Sequence, residues 1–292
     1  MPQIPLGPFA IELCSGTAGL TAQLRKAGMP SSFGIDHKVK AASRAPVVKL
    51  DATLDKNQEL IRSWVHSDNL MYVHLGVPCG TASRAREIVI EDGPTPVRSE
   101  AFPLGLPHLD DKDRVRVNKA NQLYKFGCSL ILLCEQLDKA WSIEQPHRSL
   151  FWLTPLWKSV EDHASVTNVF FHHCMFGGSR PKRTRVATNM HQLTQLSVEC
   201  DKQHAPAGFA TQEEVEYPPQ LCRSWAQIAV AALREKHPSH FSKIVLQSPD
   251  QAASASAVHQ TKKSAVFIQD FSDVRSFVVS SKPTFKAGDK LD

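Results

Sequence analysis

A chain of 292 residues with 42% hydrophobic and 22% charged residues can bury a full apolar core, which excludes a wholly disordered protein. The formal net charge of +5, with an isoelectric point near 8.8, is compatible with a polyanionic partner but too small to establish one. No apolar run approaches the roughly 20 residues that a membrane-spanning helix needs, so we expect no membrane insertion.

The first predicted unit is a strand, a glycine-containing turn and a helix. Residues 9–14 (FAIELC) predict a strand, residues 15–19 (SGTAG) a turn, and residues 20–27 a helix that ends at Gly28. Such a turn brings the backbone close to a ligand, and the free amides at the helix start suit a phosphate or a carboxylate. The pattern GxxG lacks the middle glycine of the dinucleotide fingerprint, so a nicotinamide cofactor is not indicated.

Two short apolar runs follow, and each ends in an aspartate. Residues 33–36 (FGID) place Asp36 about 20 residues after the glycine turn, where this kind of unit carries an acid for ribose hydroxyls. Residues 47–50 precede Asp51, which suits an adenine amino group. Either aspartate taken singly is better interpreted as a helix cap or a solvated loop residue, but two in register favour a ligand role. Strands that alternate with helices over residues 9–75 predict an α/β fold with a doubly wound, mostly parallel sheet that holds an adenosine-like ligand.

Residues 72–86 (YVHLGVPCGTASRAR) begin as an apolar strand and break at glycines and a proline, with Cys79 at the break. A thiol at the carboxyl end of such a strand is a candidate nucleophile, and the neighbouring Arg84 and Arg86 are expected to favour its thiolate. The alternative interpretation is a small buried hydrophobic residue.

The segment after this cysteine predicts a long loop and then a second catalytic candidate. Residues 81–113 are rich in proline, glycine and charge and have no steady periodicity, so we expect a mobile active-site loop over residues 80–113. Residues 120–137 predict a core helix. Residues 141–146 (WSIEQP) predict a strand that ends near Glu144, at the same sheet edge as the cysteine. The alternative is that Glu144 caps the segment 149–160.

A basic turn is predicted between two further strands, residues 166–173 and 186–189. It contains four cations in six residues, which are Arg180, Lys182, Arg183 and Arg185. Such a run suits phosphate, but it is also typical of a nuclear import signal or of a solvated hairpin. Residues 221–236 predict a final amphipathic helix. We therefore expect one domain over residues 1–238 and a low-complexity or weakly ordered tail over residues 239–292.

The seven cysteines form no CxxC pair, and the chain does not start with a leader-like segment. We expect free thiols in a reducing compartment, and thus a soluble intracellular protein of the nucleus or cytoplasm. No metal is predicted, because no paired metal spacing occurs among the histidines and cysteines of the later chain, which are His172, His173, Cys174, His191, Cys200 and His204.

In this order, the pieces resemble the C5-cytosine DNA methyltransferase family, which uses S-adenosylmethionine. ELCSGTAGLTAQLRKAG resembles its first cofactor motif, FGID its ribose-binding acid, and VKLD its adenine-contacting acid. GVPCGTAS resembles the nucleophile motif, SIEQP the glutamate motif and FGGSRPKRTRV the arginine motif. YPPQLCRSWAQIAVAAL is similar to the closing helix, so the resemblance covers residues 9–234.

The resemblance implies a Rossmann-like class I methyltransferase fold, S-adenosylmethionine as cofactor, and DNA, or alternatively RNA, as partner. It implies a catalytic set of Cys79, Glu144, Arg183 and Arg185. It implies cofactor contacts from Glu12, Cys14, Ser15, Gly16, Thr17, Ala18, Gly19, Leu20, Asp36, His37, Asp51, Ala52 and Pro78. It implies nucleic-acid contacts from Ser83, Arg84, Arg86, Arg180 and Lys182.

The chain departs from the family pattern at several positions. Residues of another type stand at Cys14, Val77, Gly80, Gln145 and Pro181, where the family has an aromatic residue, proline, glutamine, asparagine and glutamine. The Gly-Asn of the closing helix is missing, and only residues 190–216 stand where the family carries its target recognition domain. Two alternatives therefore stay open: a catalytically inactive methyltransferase-like protein that binds nucleic acid, and a methyltransferase for another acceptor. No oligomeric state follows from the sequence.

Overall fold

The structure is a computed structural model that describes residues 4–88, 91, 93–203 and 216–242. The chain divides into Met1–Gln247 and Ser248–Asp292, and the first unit contains every described residue. The strands are β1 (Phe9–Leu13), β2 (Phe33–Asp36), β3 (Val47–Lys49), β4 (Leu70–Leu75), β5 (Ala140–Pro146), β6 (Thr167–His172) and β7 (Arg183–Thr188). The helices are α1 (Gly19–Ala27), α2 (Asp55–Val65), α3 (Asp111–Gln136), α4 (Pro155–His163), α5 (Pro219–Lys236) and α6 (Pro238–Ser242).

In the described part of the chain, all seven strands form one sheet in the order β3-β2-β1-β4-β5-β7-β6. The first five strands pair in parallel with their neighbours. β7 lies between β5 and β6 and runs antiparallel to both, so it alone among these strands is reversed. The predicted doubly wound, mostly parallel α/β sheet is confirmed.

Helices cover both faces of the sheet, which is why its strands are nearly continuous apolar runs. Ile11 and Leu13 of β1 belong to the core under α2, α3 and α4, whereas Ala10 belongs to the core under α1 and α5. Both cores hold completely buried tryptophans, Trp157 in the first and Trp225 in the second. Each large apolar side chain buried in this way contributes about 1.5–3 kcal/mol to the free energy of unfolding.

The first and last long helices pack closely against each other. A Cβ atom at Gly19, the first residue of α1, would lie 3.5 Å from Cys222 Sγ of α5. At Gly28, which follows α1 with a φ of 129°, a Cβ would lie 2.5 Å from the guanidinium of Arg234. Glycine at this position therefore meets two needs, a left-handed turn and room for α5.

The strand register brings the chain's polar residues to one edge of the sheet. Ile35 of β2 and Leu75 of β4 both lie beside Leu13 of β1, and Ile143 of β5 lies beside Leu75. The next residue of each strand therefore stands in one row at the carboxyl edge, and this row is Asp36, Cys14, Gly76 and Glu144. Ligands bind at this edge in open α/β sheets.

Three predicted boundaries are wrong. The core helix begins at Asp111 rather than at residue 120, because Asp110 caps it by accepting a hydrogen bond from Asp113 N at 2.7 Å, and its first turns are polar on most sides. The long loop is therefore shorter than predicted. The strand predicted over residues 186–189 begins at Arg183, since β7 is paired on both sides.

The structure also excludes one alternative for Glu144. The cap of α4 is Thr154, whose hydroxyl accepts from Trp157 N at 3.2 Å, so Glu144 does not cap the segment 149–160. Of the predicted tail, residues 239–242 belong to α6, and the rest lies outside the described residues. None of the helices in the described ranges has both the length and the apolarity to cross a membrane.

Candidate functional site

An open cavity of about 1190 Å³ lies at the carboxyl edge of the sheet. Most predicted site residues line it: Glu12, Cys14, Ser15, Gly16, Thr17, Gly19, Asp36, His37, Asp51, Ala52, Pro78, Cys79, Ser83, Arg86, Glu144, Arg180 and Lys182. Five predicted site residues do not line it: Ala18, Leu20, Arg84, Arg183 and Arg185. The cavity lining therefore includes more of the residues predicted to contact a cofactor than of the predicted basic residues.

The glycine turn after β1 is a tight, strained piece of backbone. Cys14, Gly16 and Ala18 all have a left-handed conformation, with φ of 58°, 56° and 55°. Such strain at non-glycine residues costs on the order of 1 kcal/mol each and is typical of ligand-binding turns. Ser15 Oγ is buried, has no hydrogen-bond partner and belongs to a residue that lines the cavity. A buried hydroxyl left without a partner indicates a place for a polar ligand group.

Glu12 connects β1 to α1 behind this turn. Its Oε2 accepts hydrogen bonds from the backbone N of Thr21 at 2.8 Å and from the hydroxyl of Thr21 at 2.5 Å. The carboxyl is almost fully buried, and this burial raises its pKa to about 7. The residue thus supports the turn as well as lining the cavity.

The two predicted cofactor acids lie at the ends of neighbouring strands. Asp36 Oδ2 accepts from Gly16 N at 3.0 Å, so this acid also holds the glycine turn in place. Asp51 Oδ1 accepts from both the backbone N and the hydroxyl of Thr53, at 3.0 and 2.7 Å. These bonds lower the pKa of Asp51. Each aspartate therefore has a structural role in its own turn and also faces the cavity.

The loop that carries Cys79 is held on both sides. The hydroxyl of Tyr124 in α3 donates to Pro78 O at 2.8 Å, and the amide nitrogen of Gln145 donates to Val77 O at 2.5 Å. Gln145 is completely buried, so it anchors the end of β5 to this loop. The contact uses the backbone carbonyl of Val77 and the side chain of Gln145.

The thiol of Cys79 is half-buried in the cavity wall. Burial raises its pKa, the ammonium of Lys182 lowers it, and the carboxylate of Glu144 raises it further. The cation that favours the thiolate is therefore Lys182, more than 100 residues away in the sequence.

The prediction that Arg84 and Arg86 favour the thiolate is wrong. Arg84 pairs with Glu87 at 2.9 Å and also with Glu100, and it does not line the cavity. Arg86 lines the cavity, but its Nε donates to Thr95 O at 2.9 Å. Arg84 Nε also donates to Arg148 O at 3.1 Å, so these guanidinium groups bind their own loop and the segment after β5.

Glu144 is nearly buried, lines the cavity and has one oxygen without a hydrogen-bond partner. Its Oε2 accepts from the hydroxyl of Tyr217 at 3.3 Å. Its Oε1 has no hydrogen-bond partner, and Lys182 Nζ lies 3.7 Å away. No role is predicted for Tyr217 from its position in the sequence, directly before the Pro218-Pro219 pair at the start of α5.

The structure places Arg183 and Arg185 away from this cavity. Arg183 pairs with Glu199 at 2.8 Å. Arg185 pairs with Glu161 of α4 at 2.9 Å, and its guanidinium stacks on the Trp152 ring with 4.1 Å to the centroid. Successive side chains of a strand point to opposite faces. The face that carries Arg185 packs on α4, so the cations of the basic turn that line the cavity are Arg180 and Lys182.

The histidine-rich segment before β7 has a structural role. His173 is buried, its Nε2 lies 3.1 Å from Thr184 Oγ1, and burial lowers its pKa to about 3. His204 lies outside the described residues. Within the residues that the structure describes, no group of three or more His, Cys, Asp or Glu side chains is placed to hold a metal ion.

The fold class follows from these observations. A doubly wound sheet of order 3-2-1-4-5-7-6 with one reversed strand, and with a glycine turn after its first strand, is the Rossmann-like class I methyltransferase fold. No protein-family model matches the chain, and no curated protein matches it.

Two of the solved structures that the chain resembles carry methyltransferase descriptions. One is a protein described as a DNA modification methyltransferase encoded within an E. coli prophage, 15% identical, with 62% of this chain and 46% of that chain covered and a TM-score of 0.37. The other is an Entamoeba histolytica methyltransferase, 13% identical, with 63% and 53% covered and a TM-score of 0.37. The chain spans about half the length of these structures. A likeness of this size says nothing about substrate or chemistry.

Proposed function

We propose that this protein is an S-adenosylmethionine-dependent methyltransferase that acts on C5 of cytosine in nucleic acid through covalent attack by Cys79. The observation that supports this most is the sharing of one cavity by Cys79, the glycine turn and Glu144, whose Oε1 has no hydrogen-bond partner. A base that enters this cavity meets the thiol, the acid and the methyl donor together.

The cofactor end of the cavity has groups that suit an adenosyl ligand. Ser15 Oγ is a buried hydroxyl without a protein partner, and Asp36 and Asp51 present carboxylates at adjacent strand ends. Asp36 would hold the ribose hydroxyls and Asp51 the adenine amino group. S-adenosylmethionine supplies an electrophilic methyl group.

The catalytic end has a nucleophile and an acid for a pyrimidine ring. The Cys79 sulfur forms a bond to C6, and the electron pair of the C5–C6 double bond moves to C5, which then takes the methyl group. Glu144 accepts a hydrogen bond from the amino group and, when protonated, donates its proton to N3 while charge builds in the ring. The C5 proton then leaves to a base or water, and the sulfur–C6 bond breaks and restores the double bond. Such a base must be flipped out of a duplex.

Lys182 is the cation that serves this chemistry. It lies 3.7 Å from Glu144 Oε1, and it lowers the pKa of the Cys79 thiol. Arg183 and Arg185 instead stabilise β7 through Glu199 and Glu161.

The test is covalent trapping with fluorocytosine-substituted DNA and RNA. We expect wild type to form an adduct that gel electrophoresis resolves, Cys79→Ser to form none, and Cys174→Ser to behave as wild type because that half-buried cysteine does not line the cavity. Cofactor binding and melting temperature should stay near wild type in both variants. Methyl transfer by Cys79→Ser at the wild-type rate contradicts the covalent mechanism.

A second candidate is a methyltransferase-like protein that binds nucleic acid without turnover. It is favoured by the burial that raises the pKa of Cys79 and by the position of Arg183 and Arg185 outside the cavity. Calorimetric binding of S-adenosylmethionine without methyl transfer to DNA, RNA or another acceptor would select it.

A further inference from the structure

A chain of hydrogen bonds leads from Glu144 into the core under α1 and α5. Tyr217 Oη lies 3.3 Å from Glu144 Oε2, and His74 Nε2 lies 3.0 Å from Tyr217 Oη. His74 Nδ1 lies 2.7 Å from Ser142 Oγ. The chain continues through the bond between Ser142 Oγ and Tyr72 Oη, and Trp225 Nε1 donates to Tyr72 Oη at 2.9 Å.

The interior members of this chain are sealed from water. Tyr72, His74, Ser142 and Trp225 are completely buried. The His74 ring meets the Trp225 ring edge to face, with 4.9 Å between centroids. Each polar atom must therefore find its partner within the chain itself.

The two ends of the chain fix the direction of every bond in it. The indole N–H of Trp225 can only donate, and the carboxylate of Glu144 can only accept. Because Trp225 donates to Tyr72, the Tyr72 hydroxyl donates to Ser142, and the Ser142 hydroxyl then donates to His74 Nδ1.

A neutral imidazole has one donor and one acceptor nitrogen. Burial lowers the pKa of His74 to about 3, so its ring is neutral. With Nδ1 accepting, Nε2 carries the proton and donates to Tyr217, whose hydroxyl then donates to Glu144. All five bonds point towards the carboxylate.

The geometry points to a positioning device: the buried chain holds His74 as the Nε2–H tautomer, so that Tyr217 donates to Glu144 Oε2 and Oε1 is the oxygen presented to substrate. The effect of this positioning device on methyl transfer rests on the proposed function, whereas the tautomer of His74 does not. His74 and Tyr217 are positioning residues in this scheme.

The direct test is ¹⁵N NMR of the imidazole nitrogens in the ligand-free protein. The protein has 13 histidines, so a His74→Gln difference spectrum assigns the signals of the His74 ring nitrogens. We expect a protonated Nε2 and a bare Nδ1, and we expect Tyr217→Phe to shift the Nε2 signal. A protonated Nδ1, a mixture of tautomers in wild type, or no shift in Tyr217→Phe overturns the inference.

Thr188→Val is a matched control for this measurement. Thr188 is completely buried beside Ser142 on the neighbouring strand, and its hydroxyl bonds Trp141 O at 2.5 Å outside the chain of bonds. Its loss should leave the His74 signal unchanged. A shift as large as that of Tyr217→Phe means that the signal reports general loosening, which overturns the inference.

The kinetic test separates positioning from mere folding. We expect Tyr217→Phe to lower kcat for methyl transfer by roughly 10- to 100-fold with little change in the KM for nucleic acid. His74→Gln, which keeps an N–H donor near Tyr217, should retain more activity than His74→Phe. An effect on KM alone, or equal losses in both His74 variants, contradicts positioning. If wild type transfers no methyl group, the proposed function fails and the NMR result still decides the inference.

Discussion

The thiol of Cys79 lies between an ammonium that favours its ionised form and a carboxylate that opposes it. Removal of the ammonium and removal of the carboxylate should therefore move the pKa of the thiol in opposite directions. We expect Lys182→Met to raise the thiol pKa and Glu144→Gln to lower it. The pH dependence of iodoacetamide labelling at the Cys79 peptide, read by mass spectrometry, measures both.

Labelling of Cys174 in the same samples provides the control, because that thiol is outside the cavity. Shifts of the same sign in the two Cys79 profiles would show that neither charge acts on this thiol directly.

Asp36 has a second role that affects any test of cofactor binding. Asp36→Ala removes the proposed acceptor for a ribose and also the acceptor for Gly16 N, so the turn loses an anchor along with the proposed ligand contact. We expect S-adenosylmethionine binding, measured by calorimetry, to weaken by at least the ~1.5–3 kcal/mol of one hydrogen bond to a charged group.

Asp162→Ala is the matched control, since Asp162 is exposed on α4 and outside the cavity. Equal affinities for Asp36→Ala and Asp162→Ala would remove Asp36 from the cofactor site.

The loop after Cys79 is tied to α3 by a buried arginine. Arg98 is 2% exposed, and its guanidinium donates to Pro103 O at 2.6 Å and to Asn121 Oδ1 at 2.8 Å. It also donates to Thr81 Oγ1 at 3.0 and 3.2 Å. The predicted mobility of residues 80–113 thus stays a prediction. A motion of the whole loop would have to break the hydrogen bonds of Arg98.

Arg98→Met tests this anchor. The variant leaves carbonyl and hydroxyl groups without their donor, so we expect the free energy of unfolding to fall by about 2–4 kcal/mol. Limited proteolysis should cut faster between residues 82 and 97. Arg116→Met, which removes an exposed pair with Asp113, should change neither reading. Equal cleavage of both variants contradicts the anchor.

The sequence predicts those helices and strands whose bounds depend on neighbouring residues alone. The strand, turn and helix at the start follow from apolar runs and glycines, and their observed bounds differ from the predicted ones by one residue. The start of α3 is not predicted, because its first turns lack an apolar face and only the cap at Asp110 marks them. The face of β7 is not predicted either, since strand pairing, not composition, decides which cations reach the cavity.

The whole molecule contains buried ionisable groups with opposite effects on its acid stability. The pKa of His173 falls from 6.5 to about 3 on folding, so its neutral form contributes stability above pH 6.5 that is lost as the pH falls towards 3. Glu12 acts in the other direction, because its raised pKa makes stability fall as the pH rises from 4.5 to about 7. The pH dependence of the free energy of unfolding should therefore be compared between a variant and wild type.

His173→Gln keeps a hydrogen-bonding nitrogen near Thr184 but cannot titrate. Between pH 6.5 and 5, wild type should lose about 1.6 kcal/mol more of its free energy of unfolding than this variant does, because the slope rises from half of about 1.4 kcal/mol per pH unit at pH 6.5 to nearly the full value at pH 5. Urea denaturation at the two pH values measures this. His191→Gln, at an exposed histidine, should follow wild type. Parallel losses in wild type and His173→Gln would exclude a neutral buried His173.

A residue of the candidate site is predictable when it stands at or just after the end of a single strand, as Cys79 and Glu144 do. The site is not predictable where distant segments complete it. Tyr217 reaches Glu144 from 73 residues further along the chain, and His74 is polar within an otherwise apolar strand. Only the folded sheet shows that these side chains share a face.

The packing of α5 against α1 has a consequence for biosynthesis. A ribosome makes β1, β4 and β5 before it makes Tyr217, so the carboxylate of Glu144 emerges without its donor, and the apolar face of α1 emerges without its cover. The hydrogen bond from Tyr217 to Glu144 and the packing of α5 on α1 form only after α5 has left the ribosome and docked. A nascent chain stalled before residue 217 therefore exposes an apolar face for chaperones to bind, while the candidate active site is still incomplete.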